Sequence, residues 1–456
     1  MSHLTNAAAS AAAPDARPGS GAESGAGAGA GAGSVAGAGS CAGAGASAPL
    51  TVAIVGCGVI GVNHARAIGR QPGLKLVALV DELPEAATAL AELVESEGGE
   101  RPREYGSLGE ALAGHPLDLV AVCTPSGLHV ALAEEALASG AHVVIEKPLD
   151  VSMPRARRIA ELAAEAEARG QVVSVISQHR FDPASVVVAR AAQEGAFGRI
   201  TSGVASVAWW RSQQYYDSGQ WRGTWNLDGG GAVMNQGVHT VDLLVWFLGR
   251  PVEIFARTAL LAHERVEVED IAVATISFES GALAVLHATT AAYPELSARV
   301  QVHGSRGSAI IDDNLLDYFY ASGGSGGSGA DASGGDAGAS VPGSAGGSGS
   351  GGAGGEWDAS GKSAVNQAAD VVAADQLRGA ELAADRFIVG HLRQYDDIVD
   401  AIRAGRQPGV RVGDALISLA VVRAVYVSAT LGHAVAFDDI LNGTHDDVVV
   451  STGASS

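Results

Sequence analysis

The sequence predicts an α/β protein in which an N-terminal doubly wound parallel sheet is followed by an α+β domain with an open, mostly antiparallel sheet. Two observations support this prediction. Over residues 49–178, continuous apolar segments alternate with helical ones, which is typical of strands buried in a parallel sheet. Over residues 179–440, strand-like segments alternate apolar and polar positions, and short turns such as Glu279-Ser280-Gly281 join neighbours as in antiparallel hairpins.

The first strand leads directly into a glycine-rich motif. The apolar run Thr51–Val55 is followed by GCGVIG, residues 56–61, which fits G-x-G-x-x-G, and a helix is expected from Val62. In this motif the first glycine permits the tight turn, the second lets a pyrophosphate approach the backbone, and the third lets the helix pack on its strand. The motif predicts a dinucleotide-binding Rossmann domain over residues 49–178, with the cofactor on Gly56, Gly58 and Gly61.

An acidic residue follows the second strand. Leu74–Val80 is apolar, and Asp81 comes twenty residues after Gly61. A carboxylate at this place accepts ribose hydroxyls and repels a 2′-phosphate, and Glu82 adds to the repulsion, so NAD is favoured over NADP. The alternative is that Asp81 only caps the helix that Pro84 begins.

Two further strand ends of this domain carry polar residues. Leu117–Cys123 is followed by Thr124 and Pro125, which lie where the strand would meet the cofactor, and His142–Ile145 is followed by Glu146-Lys147-Pro148. Lys147 therefore lies at the carboxyl edge of the sheet, on the side of the glycine motif; the alternative is a solvated surface lysine. The other predicted elements are helices Pro84–Glu97, Gly109–Ala113, Val130–Ser139 and Pro154–Arg169 and strand Val172–Ser177.

One helix of the second domain carries a polar face. It is expected from Ala232 to a stop at Gly249, and it places Asn235, His239 and Asp242 on one side. His239 is either a satisfied core histidine or part of a site that faces a cleft. The predicted strands are Ile200–Trp210, Val252–Ala259, Ile271–Phe278, Leu283–Thr290 and Ala298–His303.

Aromatic and arginine residues are concentrated before this helix. Packing alone could explain the aromatic residues, but aromatic faces and guanidinium groups together also suit a sugar or an anionic sugar derivative. The residues in question are Arg211, Tyr215, Tyr216, Trp221 and Arg222.

Low-complexity segments interrupt the chain. Residues 1–48 and 321–363 are rich in Gly, Ala and Ser and predict a disordered tail and a flexible insertion. Helices are expected at Phe387–Ala404 and Val412–Leu431, and residues 441–456 are assigned to a C-terminal tail.

Composition restricts the partners. The 456 residues include 29 Lys and Arg against 50 Asp and Glu, a formal net charge of −21, so no nucleic-acid or anionic-membrane partner is expected. Three cysteines without paired spacing predict a reducing compartment, no structural disulfide and no metal site. No apolar run is judged long enough to cross a bilayer, and a cytoplasmic protein is expected.

Several motifs together resemble the Gfo/Idh/MocA family of nicotinamide-dependent sugar oxidoreductases. They are GCGVIG, CTPSGLH, VVIEKPL, SQHRFDP and GGGAVMNQGVHTVDLL, and the resemblance spans about 49–321 and 385–440. The stretch WWRSQQYYDSGQWRGTWNLDGGGAVMNQ is similar to branches that oxidise sugars, including nucleotide-sugar 3-dehydrogenases.

The resemblance implies hydride transfer between nicotinamide and a hydroxyl-bearing carbon of a sugar, polyol or nucleotide sugar. Lys147 would be the catalytic acid/base and His239 its partner. Many members carry an aspartate four residues before that histidine, but this chain has Asn235, so we expect a Lys147/His239 dyad in which Asn235 orients the substrate or His239. A homodimer or homotetramer is also implied. The cofactor side would include Gly56, Gly58, Ile60, Gly61, Asp81, Thr124, Pro125, His129, Glu146, Lys147 and Gln178, and the substrate side Arg211, Tyr215, Tyr216, Trp221, Arg222, Asn235 and His239.

Two other functions remain open from the sequence. One is redox-assisted glycoside cleavage, in which a sugar carbon is transiently oxidised and no net cofactor is consumed. The other is a cofactor-binding regulator on the same fold, which the presence of both Lys147 and His239 disfavours.

Overall fold

The structure, a computed structural model, describes residues 48–219, 222–322, 365–381 and 383–452. Apart from their edge residues, the predicted N-terminal tail (1–48) and glycine-rich insertion (321–363) lie outside the described residues. The described chain from Ala48 onward forms one compact unit that contains two sheets.

The first sheet has six parallel strands. They are β1 Leu50–Val55, β2 Leu74–Val80, β3 Arg103–Tyr105, β4 Leu119–Val122, β5 His142–Ile145 and β6 Val173–Val175. Their order is β3-β2-β1-β4-β5-β6, so the direction of winding reverses between β1 and β4, and a crevice opens at the carboxyl ends there. The doubly wound sheet is confirmed. β3 was not predicted because a three-residue polar strand has neither an apolar run nor an alternating pattern.

Five helices cover this sheet. They are α1 Val59–Arg70, α2 Pro84–Ser96, α3 Leu108–Gly114, α4 His129–Ala138 and α5 Met153–Ala168. α1 begins three residues earlier than the expected Val62, because Gly58 is its extended N-cap and the Val62 amide already donates to the Gly58 carbonyl at 3.0 Å. The helix N-terminus therefore opens inside the glycine motif.

The second sheet has eight strands. They are β7 Ile200–Ala208, β8 Pro251–Ala259, β9 Ile271–Phe278, β10 Leu283–Thr289, β11 Ala298–Gly304, β12 Gly307–Asp312, β13 Leu315–Ala321 and β14 Val435–Ala436. In the order β13-β12-β11-β7-β10-β9-β8-β14, every adjacent pair is antiparallel except β7 and β10. The mostly antiparallel sheet is confirmed. The unpredicted hairpin β12–β13 turns at Asp313-Asn314, both with positive φ, a dipeptide that tolerates this conformation.

The helices after the first sheet differ from expectation at one important place. They are α6 Pro183–Gln193, α7 Gln213–Asp217, α8 Val238–Leu248, α9 Ala368–Val371, α10 Arg386–Ala404, α11 Val412–Leu431 and α12 Phe437–Leu441. The single helix expected from Ala232 is instead a π-helical segment, Ala232–Gly237, followed by α8, which ends at Gly249. π-helical turns are rare and frequent at functional sites.

Two C-terminal helices pack in unexpected ways. α10, which the sequence assigned to the second domain, packs on α1, and its Tyr395 and Ile398 lie in one core with Ile54 of β1. α11 has the length and apolar composition of a membrane span, contrary to the expectation of no such run, but it packs on β8, α5 and α8 and is mostly buried, as a helix apolar on all sides requires.

The C-terminal segment also has a place in the fold. Residues 441–452, assigned by the sequence to a tail, run back along α11. Arg423 Nη2 donates to the Val448 carbonyl at 2.6 Å, and the Ser451 amide donates to Thr430 Oγ1 at 3.2 Å.

A buried ion pair joins the two sheets. Arg180, shortly after β6, donates from Nε and Nη2 to the two carboxylate oxygens of Asp242 on α8, each at 2.7 Å. Ser418 of α11 and Ser177 also donate to this carboxylate. Asp242 thus has the partners that a polar residue on a buried helix needs, and α8 is fixed against the carboxyl edge of the first sheet.

The substitution Asp242→Asn should strongly destabilise the protein, because it removes the bidentate counter-charge of the buried Arg180 guanidinium and leaves only the longer contact with the partly exposed Asp414 at 3.3 Å. Breaking one partner of a buried pair costs about 3–5 kcal/mol. Urea unfolding followed by circular dichroism measures the loss. Asp217→Asn is the matched control, since its pair with Arg265 is exposed and such pairs contribute about 0–1 kcal/mol. Equal unfolding midpoints for the two variants would contradict the role given to Arg180.

Candidate active site

The predicted cofactor residues gather at one edge of the first sheet. The glycine motif follows β1, Asp81 follows β2, Thr124 follows β4, Glu146 and Lys147 follow β5, and Gln178 follows β6. Because all six strands are parallel, these loops share the carboxyl edge on both sides of the crevice.

The glycine motif leaves space at one position only. A Cβ on Gly56 (φ +97°) would lie 2.7 Å from the Cys123 carbonyl oxygen, and one on Gly61 would lie 2.2 Å from the Gly56 carbonyl oxygen. A Cβ on Gly58 would meet no atom within 4 Å. The outer glycines therefore allow the close packing of strand and helix, and the space above Gly58, beside Ile60, is open to a phosphate group at the helix N-terminus.

Asp81 stabilises the glycine-rich loop through its carboxylate. Its carboxylate accepts hydrogen bonds from the Cys57 amide at 2.8 Å and the Leu83 amide at 2.9 Å. It therefore bonds within the turn before α2, but Leu83 is the N-cap of that helix and no side chain caps it, so the structure does not show the helix cap of the alternative interpretation. Asp81 is only half-buried, so lone pairs remain available to ribose hydroxyls.

Two buried polar atoms at this edge lack a hydrogen-bond partner among the described residues. They are Thr124 Oγ1 and Gln178 Oε1. A buried polar atom without a partner costs about 1–3 kcal/mol, a cost that a hydrogen bond from a bound ligand would remove. Pro125, the neighbour of Thr124, is exposed at the rim. These atoms and the open position above Gly58 fit a polar dinucleotide.

His129 does not face the cofactor space, which corrects the expectation from the resemblance. It is fully buried, with Nδ1 at 3.1 Å from the Leu149 carbonyl oxygen and Nε2 at 3.0 Å from the Thr124 carbonyl oxygen. Both ring nitrogens are engaged, so His129 joins the loops after β4 and β5 and acts on the site only through Thr124.

Glu146 lies at the centre of a network that the sequence analysis missed. Its Oε1 lies 2.9 Å from His64 Nε2 and 3.3 Å from His391 Nε2, and Tyr395 contacts His64 Nδ1 at 2.6 Å. Although burial opposes ionisation, the hydrogen bonds from His391 and His64 hold the pKa of Glu146 well below its ordinary value. The position of His64 shortly after the glycine motif was a signal in the sequence that could have pointed to this network. The residues of α10 that complete it, His391 and Tyr395, come from a distant part of the chain.

This network prepares the position of Lys147. Glu146 Oε2 accepts a hydrogen bond from the backbone amide of Lys147 at 2.9 Å, so the carboxylate fixes the backbone at Lys147. The three potential ligand atoms of His64, Glu146 and His391 lie within 4.8 Å of one another. Direct hydrogen bonds to one carboxylate oxygen account for this arrangement, and we assign the group a structural role.

Lys147 and His239 reach the same space from the two domains. Both line a cavity of about 20 Å³, room for about one water molecule, together with residues of β6, α8 and α11. Burial lowers the pKa of Lys147 from the ordinary lysine value, and the charges of Glu146 and Asp228 partly offset this effect. Burial, followed by the charges of Lys147 and His179, holds the pKa of His239 well below its ordinary value.

His239 also has a second histidine beside it. The ring of His179 lies edge-on to it, with 5.0 Å between centroids, and His179 Nδ1 lies 2.8 Å from Asp182 Oδ2. A neutral His239 next to a lowered-pKa lysine can hold a hydroxyl group, and the lysine can exchange its proton.

Asn235 lies in the π-helical segment and contacts a carboxylate. Its Nδ2 lies 2.6 Å from Asp228 Oδ1 and 3.3 Å from the Gly230 carbonyl oxygen. Both neighbours only accept hydrogen bonds, so the amide orientation is fixed by chemistry and Oδ1 points the other way. Glu269 holds the turn in place by accepting the Gly231 and Val233 amides, each at 3.0 Å.

The predicted substrate side is only partly assembled. Arg222 lies 4.3 Å above the ring of Tyr215, and Arg211 lies 5.8 Å from the same ring while its Nη1 pairs with Glu295 at 2.8 Å. Tyr216 is instead buried, with its hydroxyl 2.8 Å from Thr290 Oγ1, so it belongs to the core and not to a substrate surface. Trp221 lies outside the described residues.

Family descriptions match both halves of the chain. "Oxidoreductase family, NAD-binding Rossmann fold" matches residues 50–175, and "GFO/IDH/MocA C-terminal domain" matches residues 186–310. An inositol 2-dehydrogenase of Rhizobium meliloti is 26% identical over 265 residues, which are 57% of this chain and 74% of the relative. A D-apiose dehydrogenase of Paraburkholderia graminis is 26% identical over 390 residues, 84% of this chain and 88% of that relative.

A solved structure agrees over most of its length. The WlbA dehydrogenase from Bordetella pertussis, in complex with NADH and UDP-GlcNAcA, has a TM-score of 0.66 and 29% identity, and the match covers 85% of this chain and 98% of that one. The two domains match in the same order, and the glycine motif and Lys147 lie at the edge where a dinucleotide binds. The chain belongs to the Gfo/Idh/MocA family of NAD(P)-dependent oxidoreductases that act on CH–OH groups.

Proposed function

We propose that this enzyme is an NAD-dependent dehydrogenase for an anionic sugar derivative, such as a nucleotide-linked sugar. The observation that carries the proposal is that Lys147 and His239 line one cavity at the carboxyl edge that also bears the glycine motif. The WlbA relative that binds UDP-GlcNAcA supports this class of substrate, and the inositol and apiose dehydrogenases support oxidation of a polyol or sugar hydroxyl.

The roles of the residues follow from the chemistry of a carbinol. Oxidation of CH–OH to a carbonyl releases a hydride and a proton, and bound NAD is the hydride acceptor. Lys147, whose pKa burial lowers, takes the hydroxyl proton in its neutral form. His239 holds the same hydroxyl oxygen as a hydrogen-bond donor, and Asn235 orients the substrate through Oδ1.

The anionic character of the substrate is inferred from the group Arg211, Tyr215 and Arg222. The whole chain carries a formal net charge of −21, and here two arginines lie around one aromatic ring. Guanidinium groups bind phosphate and carboxylate oxygens, and the tyrosine face suits a sugar or base ring. Burial raises the pKa of Asp228 and the positive charge of Arg222 opposes this effect, so the arginine acts on the carboxylate that Asn235 contacts.

The proposal includes a cofactor preference. Asp81 favours NAD over NADP, because a carboxylate at this position repels a 2′-phosphate.

The proposal also includes an assembly. The face of the second sheet opposite α8 exposes apolar side chains of three neighbouring strands, Phe255, Val273 and Val285, which suits a homodimer or homotetramer. The free thiols Cys57 and Cys123 are typical of a cytoplasmic enzyme.

Replacing Lys147 by alanine should lower the turnover number by about 10²–10⁴ while leaving NAD affinity within about twofold, because the general base is lost and the dinucleotide contacts remain. NADH absorbance is followed with NAD and a panel of free sugars, polyols, sugar acids and nucleotide sugars. Lys75→Ala is the matched control, since Lys75 only pairs with Glu100 at the surface.

The same assay separates the competing functions. Reduction of NAD with one substrate class, lost in Lys147→Ala, supports the proposal, and equal turnover of variant and parent would remove Lys147 from the mechanism. The rate of NAD reduction by the parent enzyme should rise with pH through the lowered pKa of Lys147, because only the neutral amine accepts the proton. NAD binding without net reduction, combined with release of an aglycone from a glycoside, would establish redox-assisted cleavage instead.

Asp81→Asn should reduce the preference for NAD over NADP, because the amide no longer repels a 2′-phosphate. The measurement is the ratio of dissociation constants for the two cofactors. Asp118→Asn is the control, because Asp118 precedes β4 at the opposite edge of the sheet. An unchanged ratio in Asp81→Asn would remove this residue from ribose recognition.

Val273→Asp should shift the protein towards monomers, since it places a charge in the centre of the proposed contact face. Light scattering after size exclusion gives the mass, and Val449→Asp, at a side chain that is 87% exposed near the C-terminus, serves as control. A parent protein that is already monomeric would refute the proposed assembly.

A further inference from the structure

A buried carboxylate lies next to Asn235. Asp228 precedes the GGG turn, is buried, and accepts hydrogen bonds from the Gly223 amide at 2.8 Å and from Asn235 Nδ2 at 2.6 Å. Both contacts donate to it and so favour the ionised carboxylate, although burial outweighs them and raises the pKa of Asp228.

The turn that carries Asp228 packs directly on the segment after Lys147. A Cβ on Gly229 would lie 2.6 Å from Val151 Cγ1, and one on Gly230 would lie 2.2 Å from the Tyr426 hydroxyl oxygen. Only glycine permits this approach, so the backbone beside Asp228 is held against the loop that begins with Lys147 and Pro148.

The same hydrogen bond sets what Asn235 presents to the substrate. Its two amide hydrogens point to Asp228 and to the Gly230 carbonyl, and no described residue donates to Asn235 Oδ1. The amide is therefore held as an acceptor on the face that also carries His239, one helical turn later.

We propose that Asp228 is a positioning residue of the active site, which supplies a carboxylate to the Lys147–His239 pair and holds Asn235 as a hydrogen-bond acceptor. This inference rests on the proposed function for the role of Lys147. It adds Asp228 to Lys147 and His239 as a third group of the proposed active site.

The charges around Lys147 support this assignment. Glu146, on its own segment, and Asp228, from the second domain, both raise the pKa of Lys147 against the effect of burial. Burial raises the pKa of Asp228, and the hydrogen bonds from Gly223 and Asn235 and the charges of Arg222 and Lys147 oppose that effect. The charge of Lys147 in turn lowers the pKa of His239, after the larger effect of burial.

The test uses the low lysine content of the chain. The sequence contains only Lys75, Lys147 and Lys362, so the full-length protein grown with ¹³Cε-lysine gives three lysine signals in NMR spectra. Lys147→Arg assigns the signal of Lys147, whose pKa is then read from a pH titration without any substrate. We expect Asp228→Asn to lower that pKa by about one pH unit, because a nearby negative charge is removed.

A double variant tests the proposal even if Asp228→Asn alone perturbs the structure. Asp228→Asn/Asn235→Asp exchanges the two partners of the 2.6 Å hydrogen bond and returns a carboxylate to the site, so the pKa of Lys147 should return towards the parent value. Asp312→Asn is the matched control, because Asp312 is a buried aspartate of the second sheet that pairs with Arg378. This variant should leave the pKa of Lys147 unchanged.

Turnover provides the second readout. The acidic limb of the pH profile for sugar oxidation should move to lower pH in Asp228→Asn by the same amount as the titration, and the swap should reverse that movement. A folded Asp228→Asn protein with the parent pKa at Lys147, or a swap variant that restores nothing, would overturn the proposal. Absence of turnover in the parent would refute the proposed function, while the titration would still report on Asp228.

Discussion

The arrangement of the site depends on the buried ion pair between Arg180 and Asp242. A charge in the interior is tolerated only when its partner is aligned and hydrogen-bonded, and here both guanidinium contacts are 2.7 Å long. Arg180 belongs to the end of the parallel sheet and Asp242 to α8, three residues after His239. The pair therefore prevents α8 from sliding relative to the first sheet, and His239 stays opposite Lys147.

Electrostatic balance around one lysine is the second constraint. Burial favours the neutral amine of Lys147, while Glu146 and Asp228 favour its charged form. The two carboxylates reach it from different domains, and each is itself held by donors, His64 and His391 for Glu146 and Asn235 for Asp228. A group that both takes and returns a proton benefits from such opposed influences, because neither form is strongly preferred.

The cofactor side is prepared mostly by the backbone. Gly56 and Gly61 are required by close contacts of the chain with itself, and Gly58 leaves the space above the helix N-terminus open. Thr124 and Gln178 present to the same edge oxygens that have no hydrogen-bond partner among the described residues. Recognition of a dinucleotide by backbone amides and a few polar atoms explains why a short motif can predict a cofactor-binding edge.

The sequence by itself determined the first sheet except β3, strands β7 to β11 of the second sheet and the glycine motif, and its resemblance to the family pointed to Lys147 and His239. Those features are written in local patterns: runs of apolar residues, spacing of glycines, and polar residues directly after strands. Tertiary structure alone decided that His64 meets Tyr395, 331 positions away, that α10 packs on α1, and that Tyr216 and His129 are turned into the core. It also brought Asp228 to Asn235, through a π-helical segment that the regular 3.6-residue period does not predict. These contacts join segments whose separation along the chain carries no signal, because packing and the need to satisfy buried polar groups select them only when the whole fold has formed.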